Sequence, residues 1–343
     1  MEECIKKLFY DLHRYAEESG KEYKTKKIIR DFMDRYTSME YHELEGGFYY
    51  VYRSDKGLRK IALRADYDAL RVNDHEIRHL CGHDGHSAAL CYCAYMIEKN
   101  GCDNHICFLF QSAEENGQGA RKCLSIFEED IDVIYGQHNL PGFPFGEVFT
   151  SDSTFACASV GLTIDLIGKP SHAAYPENGI SPSKKVSEIL SLSEKCNSLE
   201  QMITVISVQM GKEDFGVMAH DAKVCLTLRS KTNEGLSRLK EELNQIIFSD
   251  QNGLQISVSE SDYFPALVNH EKSYQEIRQK LKSKDLNEPM RWSEDFAHYL
   301  LDHEGAFFGV GAGNDCPGLH TIDYIYPFDL IEKTALCFYN LVI

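Results

Sequence analysis

No stretch of the sequence approaches the roughly 18 consecutive apolar residues that a membrane-spanning helix needs. Its first residues, MEECIKKLFYDLHRYAEE, mix charges among the apolar positions and offer no core for an export signal. Twelve cysteines are present, yet none stands in a CxxC pair. Several, such as Cys107, Cys157 and Cys225, lie inside apolar runs, where a thiol behaves as a small core residue. These absences predict a reduced, cytoplasmic protein without a disulfide framework. Positive charge is scarce as well: 36 Lys and Arg face 53 Asp and Glu, a net charge of −17. Such a surface repels phosphate backbones, so neither nucleic acid nor a membrane is expected as a partner. Internal repeats and low-complexity segments are missing too.

What the chain does have is length and apolar content. It has 343 residues, 43% of them hydrophobic, which exceeds the usual size of a single core and predicts two domains. Residues 1–36 read as helical from the spacing of Leu8, Leu12, Ile29, Phe32 and Met33. The stretch GGFYYVYRSDKGLRKIALRA reads as a hairpin turning at SDKG, after which Asp66 and Asp68 close a strand. SAALCYCAYMIEKNG is a helix ended by Gly101; HICFLFQ and DVIYGQHN are further strands. Strands alternating with helices predict an α/β domain with a mostly parallel, covered sheet. Ligands collect at the carboxyl ends of such strands, and Asp66, Asp68, Glu114, Glu115 and His138 fall there in succession.

From about residue 157 the order becomes strand, helix, strand, strand, helix, strand, with the second helix capped by Asn233. That is a ferredoxin-like α+β arrangement. The pattern after it returns to α/β, so residues 157–266 are expected to be a lid or dimerisation domain inserted into a catalytic domain of 1–156 and 267–343.

The chemistry concentrates in HLCGHDGH, residues 79–86. Cys81 and His83 offer a thiolate and an imidazole to one centre, a donor pair that favours zinc or a similar borderline cation. Alone, two such residues are as well explained by a polar loop. Glu114 and Glu115 in FQSAEENGQGA change the balance, because adjacent side chains on an extended backbone face different sides. One carboxylate can then bind metal while its neighbour serves as a base. With His138 and His320, five donors suffice for two ions if one donor bridges. Two ions so held would activate water for hydrolysis.

These residues carry a resemblance. ALRADYDAL, HLCGHDGHSAAL, FLFQSAEENGQGA, YGQHNLPGFPFGEV, GKPSHAAYPENGISP, WSEDFAHYL and GLHTIDYIYPFD stand in the order found in the two-metal amidohydrolase and aminoacylase peptidase family. The subgroup it resembles holds hippurate hydrolase, the auxin-conjugate hydrolases and N-acetyldiaminopimelate deacetylase. The resemblance implies a metal-dependent hydrolase of N-acyl amino acids or related small amides. It implies two divalent ions on Cys81, His83, Glu115, His138 and His320, zinc first, with manganese, cobalt or nickel as alternatives. It implies Glu114 as the general base, Asp68 as the carboxylate that orients a ligand histidine, and His172 as an oxyanion contact. Arg229 and Asn269 fall where the family meets substrate, Glu294 matches a recurrent position, and a homodimer through the inserted domain is implied.

Two segments depart from the family pattern. RVNDHEIRHL replaces a longer stretch before the CGH loop, with Arg71 where a proline is usual. In the inserted domain GVMA, residues 216–219, stands for a common NVxP. The alternatives are an aminopeptidase or dipeptidase, whose substrate ammonium would need Asp66, Asp74 or Glu294, and a catalytically silent metabolite-binding relative. A metal-stabilised structural protein would need no base beside its ligands.

Overall fold

The computed structural model describes residues 1–198 and 200–343. They form two compact units, Met1–Phe155 with Leu267–Glu288 and Glu294–Ile343, and Ala156–Ala266 with Pro289–Ser293.

In the first unit, helices α1 (Glu2–Arg14) and α2 (Tyr23–Tyr36) each bury one stripe, Ile5, Leu8, Phe9 and Leu12 in the first, Ile29, Phe32 and Met33 in the second. Both lie within the stretch expected to be helical, and at the start of α2 the Glu17 carboxylate accepts the free N–H groups of Lys24 and Thr25. Strands β1 (Glu40–Leu44) and β2 (Gly47–Tyr52) form a hairpin; β3 (Lys60–Asp66) follows. The hairpin expected at SDKG does not form. Strand β6 (His105–Gln111) lies between β2 and β3, antiparallel to the first and parallel to the second. Buried almost throughout, β6 gains from a central place, and the 53–59 connection is tied to its start by Ser54 N–H to His105 Nδ1. Between β3 and β6 come a small hairpin, β4 (Leu70–Asn73) and β5 (Glu76–Arg78), and helix α3 (His83–Asn100), which stops at Gly101 (φ 77°).

After β6 the chain forms the short α4 (Gly119–Lys122), β7 (Val133–Pro141), β8 (Val148–Thr150) and β9 (Thr154–Ala156). The second unit comprises β10 (Ala158–Ile167), α5 (Ser183–Lys195), β11 (Gln201–Met210), β12 (Asp221–Ser230), α6 (Asn233–Phe248) and β13 (Gln255–Phe264). Back in the first unit are β14 (Leu267–Val268), α7 (Glu271–Leu281), β15 (Lys284–Asp285), β16 (Gly305–Gly313) and α8 (Leu330–Val342).

The large sheet has the order β1-β2-β6-β3-β7-β16-β8-β15, and its centre, β6, β3, β7 and β16, is parallel. Helix α3 packs on this centre and on α8, so it is apolar on most faces. The small sheet is antiparallel in the order β11-β12-β10-β13, the ferredoxin-like arrangement, with α5 and α6 over one face. Its alternation is clear in β12, where Ala222, Val224, Leu226 and Leu228 are buried. Helix α6 is capped by Thr232, whose hydroxyl accepts the Gly235 N–H at 3.0 Å, and not by Asn233. The Asn233 side chain instead accepts the Ala266 N–H at 2.7 Å, tying the end of this unit to the helix start. Among the described residues no helix is long and apolar enough to cross a membrane.

Candidate metal centre

The centre lies where the parallel strands of the large sheet end. Cys81 precedes α3 and His83 is its first residue. Gly82 between them has φ 95°, and a Cβ there would meet Asn139 Oδ1 at 2.7 Å and Tyr324 Oη at 2.8 Å. Gly85 lets the Tyr326 ring pass equally close. Both glycines of the motif are therefore demanded by close approach, and Gly82 by the turn as well.

Glu114 and Glu115 follow β6, but the backbone there is a turn and not extended: Ala113 has φ 54°, and the Gly117 N–H closes on the Glu114 carbonyl at 2.8 Å. The expected facing to different sides is not seen: both carboxylates approach His83 Nε2, Glu114 Oε2 at 3.8 Å and Glu115 Oε1 at 3.9 Å. His138 lies inside β7, not after it. His320 sits in the loop after β16 with φ 62°, its N–H held by the Leu80 carbonyl at 2.8 Å. A left-handed backbone at a non-glycine residue costs energy, and here it aims an imidazole.

These residues form two overlapping groups of donor atoms. Cys81, His83 and His138 lie together, and so do Cys81, Glu115 and His320, with the donor atoms in each group within 4.8 Å of one another. Cys81 belongs to both, with Sγ 3.4 Å from His138 Nε2 and 3.3 Å from His320 Nε2. His83 Nδ1 faces only acceptors, Asp68 Oδ1 at 3.0 Å and the Asp68 carbonyl at 3.1 Å, so it carries the proton. His138 Nδ1 likewise donates to the Asn139 carbonyl at 2.8 Å. Both rings therefore turn Nε2 toward Cys81's side of the site. Asp68 also accepts the Glu115 N–H at 3.0 Å and the Ser19 hydroxyl at 2.7 Å, so one carboxylate orients residues of both groups.

The electrostatics describe a site short of positive charge. Burial, then Glu115, push the Cys81 thiol well above its usual range. Burial raises the Glu115 carboxyl to about 8, against the opposing pull of His83. Glu114 is driven well up by burial, then by Glu294, Glu115 and Asp295. For His83, burial works downward, but Asp66 and Cys81 outweigh it and raise it well above the ordinary imidazole. Burial and His86 depress His138. Two buried polar atoms facing this region, His83 Nε2 and Glu115 Oε1, make no hydrogen bond. Thiolate, imidazole and carboxylate donors with such orphaned atoms fit a divalent cation, and the thiolate shared by both groups fits a pair of them.

Glu114 stands at the edge of both groups. Its Oε2 is 3.8 Å from His83 Nε2, and its Oε1 faces the Asp295 N–H at 3.4 Å. Behind the donors lies a buried layer that sequence reasoning left unassigned: Arg64, His86 and Asn139. A charged residue inside the apolar strand KIALRAD was the available signal for Arg64. Asp66 pairs with Arg64 and His86, and Glu294 with Arg64. Asp74 is exposed in the β4–β5 turn.

Asn269 is buried. Its amide donates to Thr150 Oγ1, the Ser151 carbonyl and the Phe307 carbonyl, and its oxygen accepts the Phe307 N–H at 2.7 Å, so it braces β8 against β16. In the second unit, His172 is exposed on the loop after β10, and its Nδ1 accepts the Ala174 N–H at 3.0 Å, leaving the proton on Nε2. Arg229 Nη1 donates to Ser293 Oγ at 2.8 Å and to the Arg291 carbonyl at 3.2 Å, with no carboxylate partner among the described residues.

N-acetyldiaminopimelate deacetylase of Leuconostoc mesenteroides is 28% identical over 354 residues, covering 93% of this chain and 91% of the relative. N-acetyl-L-cysteine deacetylase of Bacillus subtilis is 28% identical over 350 residues, covering 95% and 83%. In fold, the chain is similar to the Bacillus subtilis YXEP protein, described as a dinuclear metal binding peptidase from M20 family, with a TM-score of 0.83 at 22% identity over 99% of this chain and 97% of that one. The family model described as Peptidase family M20/M25/M40 matches residues 62–343. A match over so much of the chain means that it belongs to peptidase family M20/M25/M40 and is a hydrolase.

Proposed function

We propose that this hydrolase cleaves the amide bond of an N-acyl amino acid at a two-ion centre, with Glu114 as its proton shuttle. The observation that carries the reading is the pair of donor groups sharing Cys81, with Glu114 beside both. The deacetylase relatives support an acyl group on the amine. Cys81, His83 and His138 would hold one ion, and Cys81, Glu115 and His320 the other. The mixed thiolate, imidazole and carboxylate set favours zinc, with manganese, cobalt and nickel as substitutes.

Divalent ions bound there supply Lewis acidity to the substrate carbonyl and to water. The chain's own residues then manage protons and orientation. Glu114, beside both donor groups, takes a proton from the attacking water. It returns that proton to the amine nitrogen as the C–N bond breaks, leaving a carboxylic acid and an amine, which settle as carboxylate and ammonium when the acid proton passes to the amine. Asp68 keeps His83 in the tautomer that offers Nε2. His172, with its proton on Nε2, is suited to donate to the developing oxyanion. Arg229, lacking a carboxylate partner among the described residues, is suited to the substrate carboxylate.

An acylase is favoured over an aminopeptidase by the deacetylase relatives. Asp66 and one Glu294 oxygen are engaged with Arg64, the other Glu294 oxygen is buried without a hydrogen bond, and Asp74 is exposed. A homodimer would form through the second unit, whose edge strand β11 exposes Ile206, Val208 and Met210. Twelve unpaired thiols support a reducing compartment, the cytoplasm. Amine release from a panel of N-acyl amino acids and dipeptides by zinc- or manganese-loaded protein tests the reading. Turnover of the acyl compounds alone is expected; turnover of the dipeptides alone would replace it with a peptidase.

A further inference from the structure

Arg64 is a fully buried cation that the proposed reaction does not itself use. It stands on β3, behind the donor atoms, and its guanidinium meets four side chains. Nε donates to Gln111 Oε1 at 2.9 Å and Nη1 to Asp66 Oδ2 at 2.7 Å. Nη2 donates to Asp295 Oδ1 at 2.8 Å and lies 3.0 Å from Glu294 Oε1.

Two arms leave this hub. In the first, Asp66 Oδ1 is 2.6 Å from His86 Nδ1, and His86 Nε2 is 2.6 Å from Asn139 Oδ1. The Asn139 carbonyl in turn holds His138 Nδ1 at 2.8 Å. In the second, Asp295 accepts from the Gln111 amide at 2.8 Å and from the Ala120 N–H at 2.9 Å. Those two residues bracket the turn that carries Glu114 and Glu115, and the Asp295 N–H faces Glu114 itself.

We infer that Arg64 is the positioning residue for both ion sites, one rigid fork setting His138 through Asp66, His86 and Asn139, and the Glu114–Glu115 turn through Gln111 and Asp295. The inference rests on the two-ion reading above. Its physical basis is the planar guanidinium, which fixes several acceptors at set angles where a lysine ammonium offers one mobile point charge. The same cation answers a second need. Asp66 with His83 and His86, and Glu114 with Glu294 and Asp295, are compact groups that could each hold a cation of their own. Arg64 pairs with Asp66 in the first group and with Glu294 Oε1 and Asp295 in the second, so each group already holds a cation among its carboxylates and is a weaker competitor for the ions of the Cys81 groups.

The test uses the full chain and reads zinc by competition with a chromophoric chelator, and cobalt by its thiolate charge-transfer band. Circular dichroism and thermal melting report the fold. Arg64→Lys keeps the charge and loses the fork; both ion affinities should fall about 10- to 100-fold, the usual cost of losing a residue that orients a ligand, and the cobalt–thiolate band should change shape. A merely structural arginine would lower the melting temperature and leave affinities and spectrum as they were. Asp66→Asn and Asp295→Asn cut one arm each, and each should weaken one ion while sparing the other. A folded Arg64→Lys with both affinities within twofold of the parent overturns the inference. If that variant does not fold, unchanged affinities in both single-arm variants overturn it. None of these readouts needs a substrate, so parent protein that binds two ions but cleaves no amide would sink the amidohydrolase reading and leave this one standing.

Discussion

Replacing Asp68 by asparagine removes one negative charge and almost no volume, yet the geometry predicts a large loss. The carboxylate uses both oxygens: Oδ1 takes the His83 Nδ1 proton at 3.0 Å, while Oδ2 takes the Glu115 N–H at 3.0 Å and the Ser19 hydroxyl at 2.7 Å. Asparagine has a single acceptor oxygen. With that oxygen toward His83, its NH2 group confronts the Glu115 N–H. With the amide reversed, NH2 confronts Nδ1, and His83 must carry its proton on Nε2, the atom meant for an ion. A hydrogen bond to a charged group is worth about 1.5–3 kcal/mol, so losing one at a ligand predicts a 10- to 100-fold weaker ion, about 1.4–2.7 kcal/mol. Zinc competition on folded Asp68→Asn protein measures this directly, and turnover at saturating zinc separates loss of the ion from loss of chemistry. Affinity for both ions equal to that of the parent would refute the tautomer argument.

Two further outcomes follow from named contacts. Cys81→Ala deletes the donor common to both groups, so dialysed protein should retain at most one ion per chain by metal analysis; two retained ions would remove its bridging role. Glu22 is buried, and burial followed by Asp68 raises its carboxyl to about 7, while Oε1 accepts the Gly20 and Ala113 N–H groups. Because the folded value lies above the unfolded one of about 4.3, the folded state holds the extra proton between them, and stability falls as pH rises through that window. Glu22→Gln keeps an acceptor for both N–H groups and loses the charge. It should melt higher than the parent at pH 8, by the equivalent of about 2–4 kcal/mol, and the same at pH 4; a melting point unchanged at both pH values would contradict the assignment.

Much of the fold could be read from local patterns, and the misreadings have a common origin. Strands β3, β6 and β7 announce themselves as apolar runs, and Gly101 marks the end of α3, because these signals depend on neighbours in sequence. The SDKG turn misleads because pairing β2 with β3 or with β6 is a choice between distant partners, made by burial of the whole sheet. Thr232 and Asn233 are both good caps, and only backbone geometry at the helix start picks the threonine. The donors at the centre were legible as residue types. Their support was not: Arg64 becomes meaningful only once β6 and the Asp295 segment converge on it.

The most direct test of the two-ion hydrolase is Glu114→Gln, read by metal content and turnover on the same sample. Glu114 touches the centre without belonging to either Cys81 group, and glutamine can still accept at Oε1 but cannot take a proton. The account predicts two ions per chain, a parent-like melting curve, and amide hydrolysis lowered by at least the 10²- to 10⁴-fold typical of lost acid–base catalysis. Hydrolysis within a few-fold of the parent, with both ions in place, would show that the proton moves by another route and that the central claim is wrong.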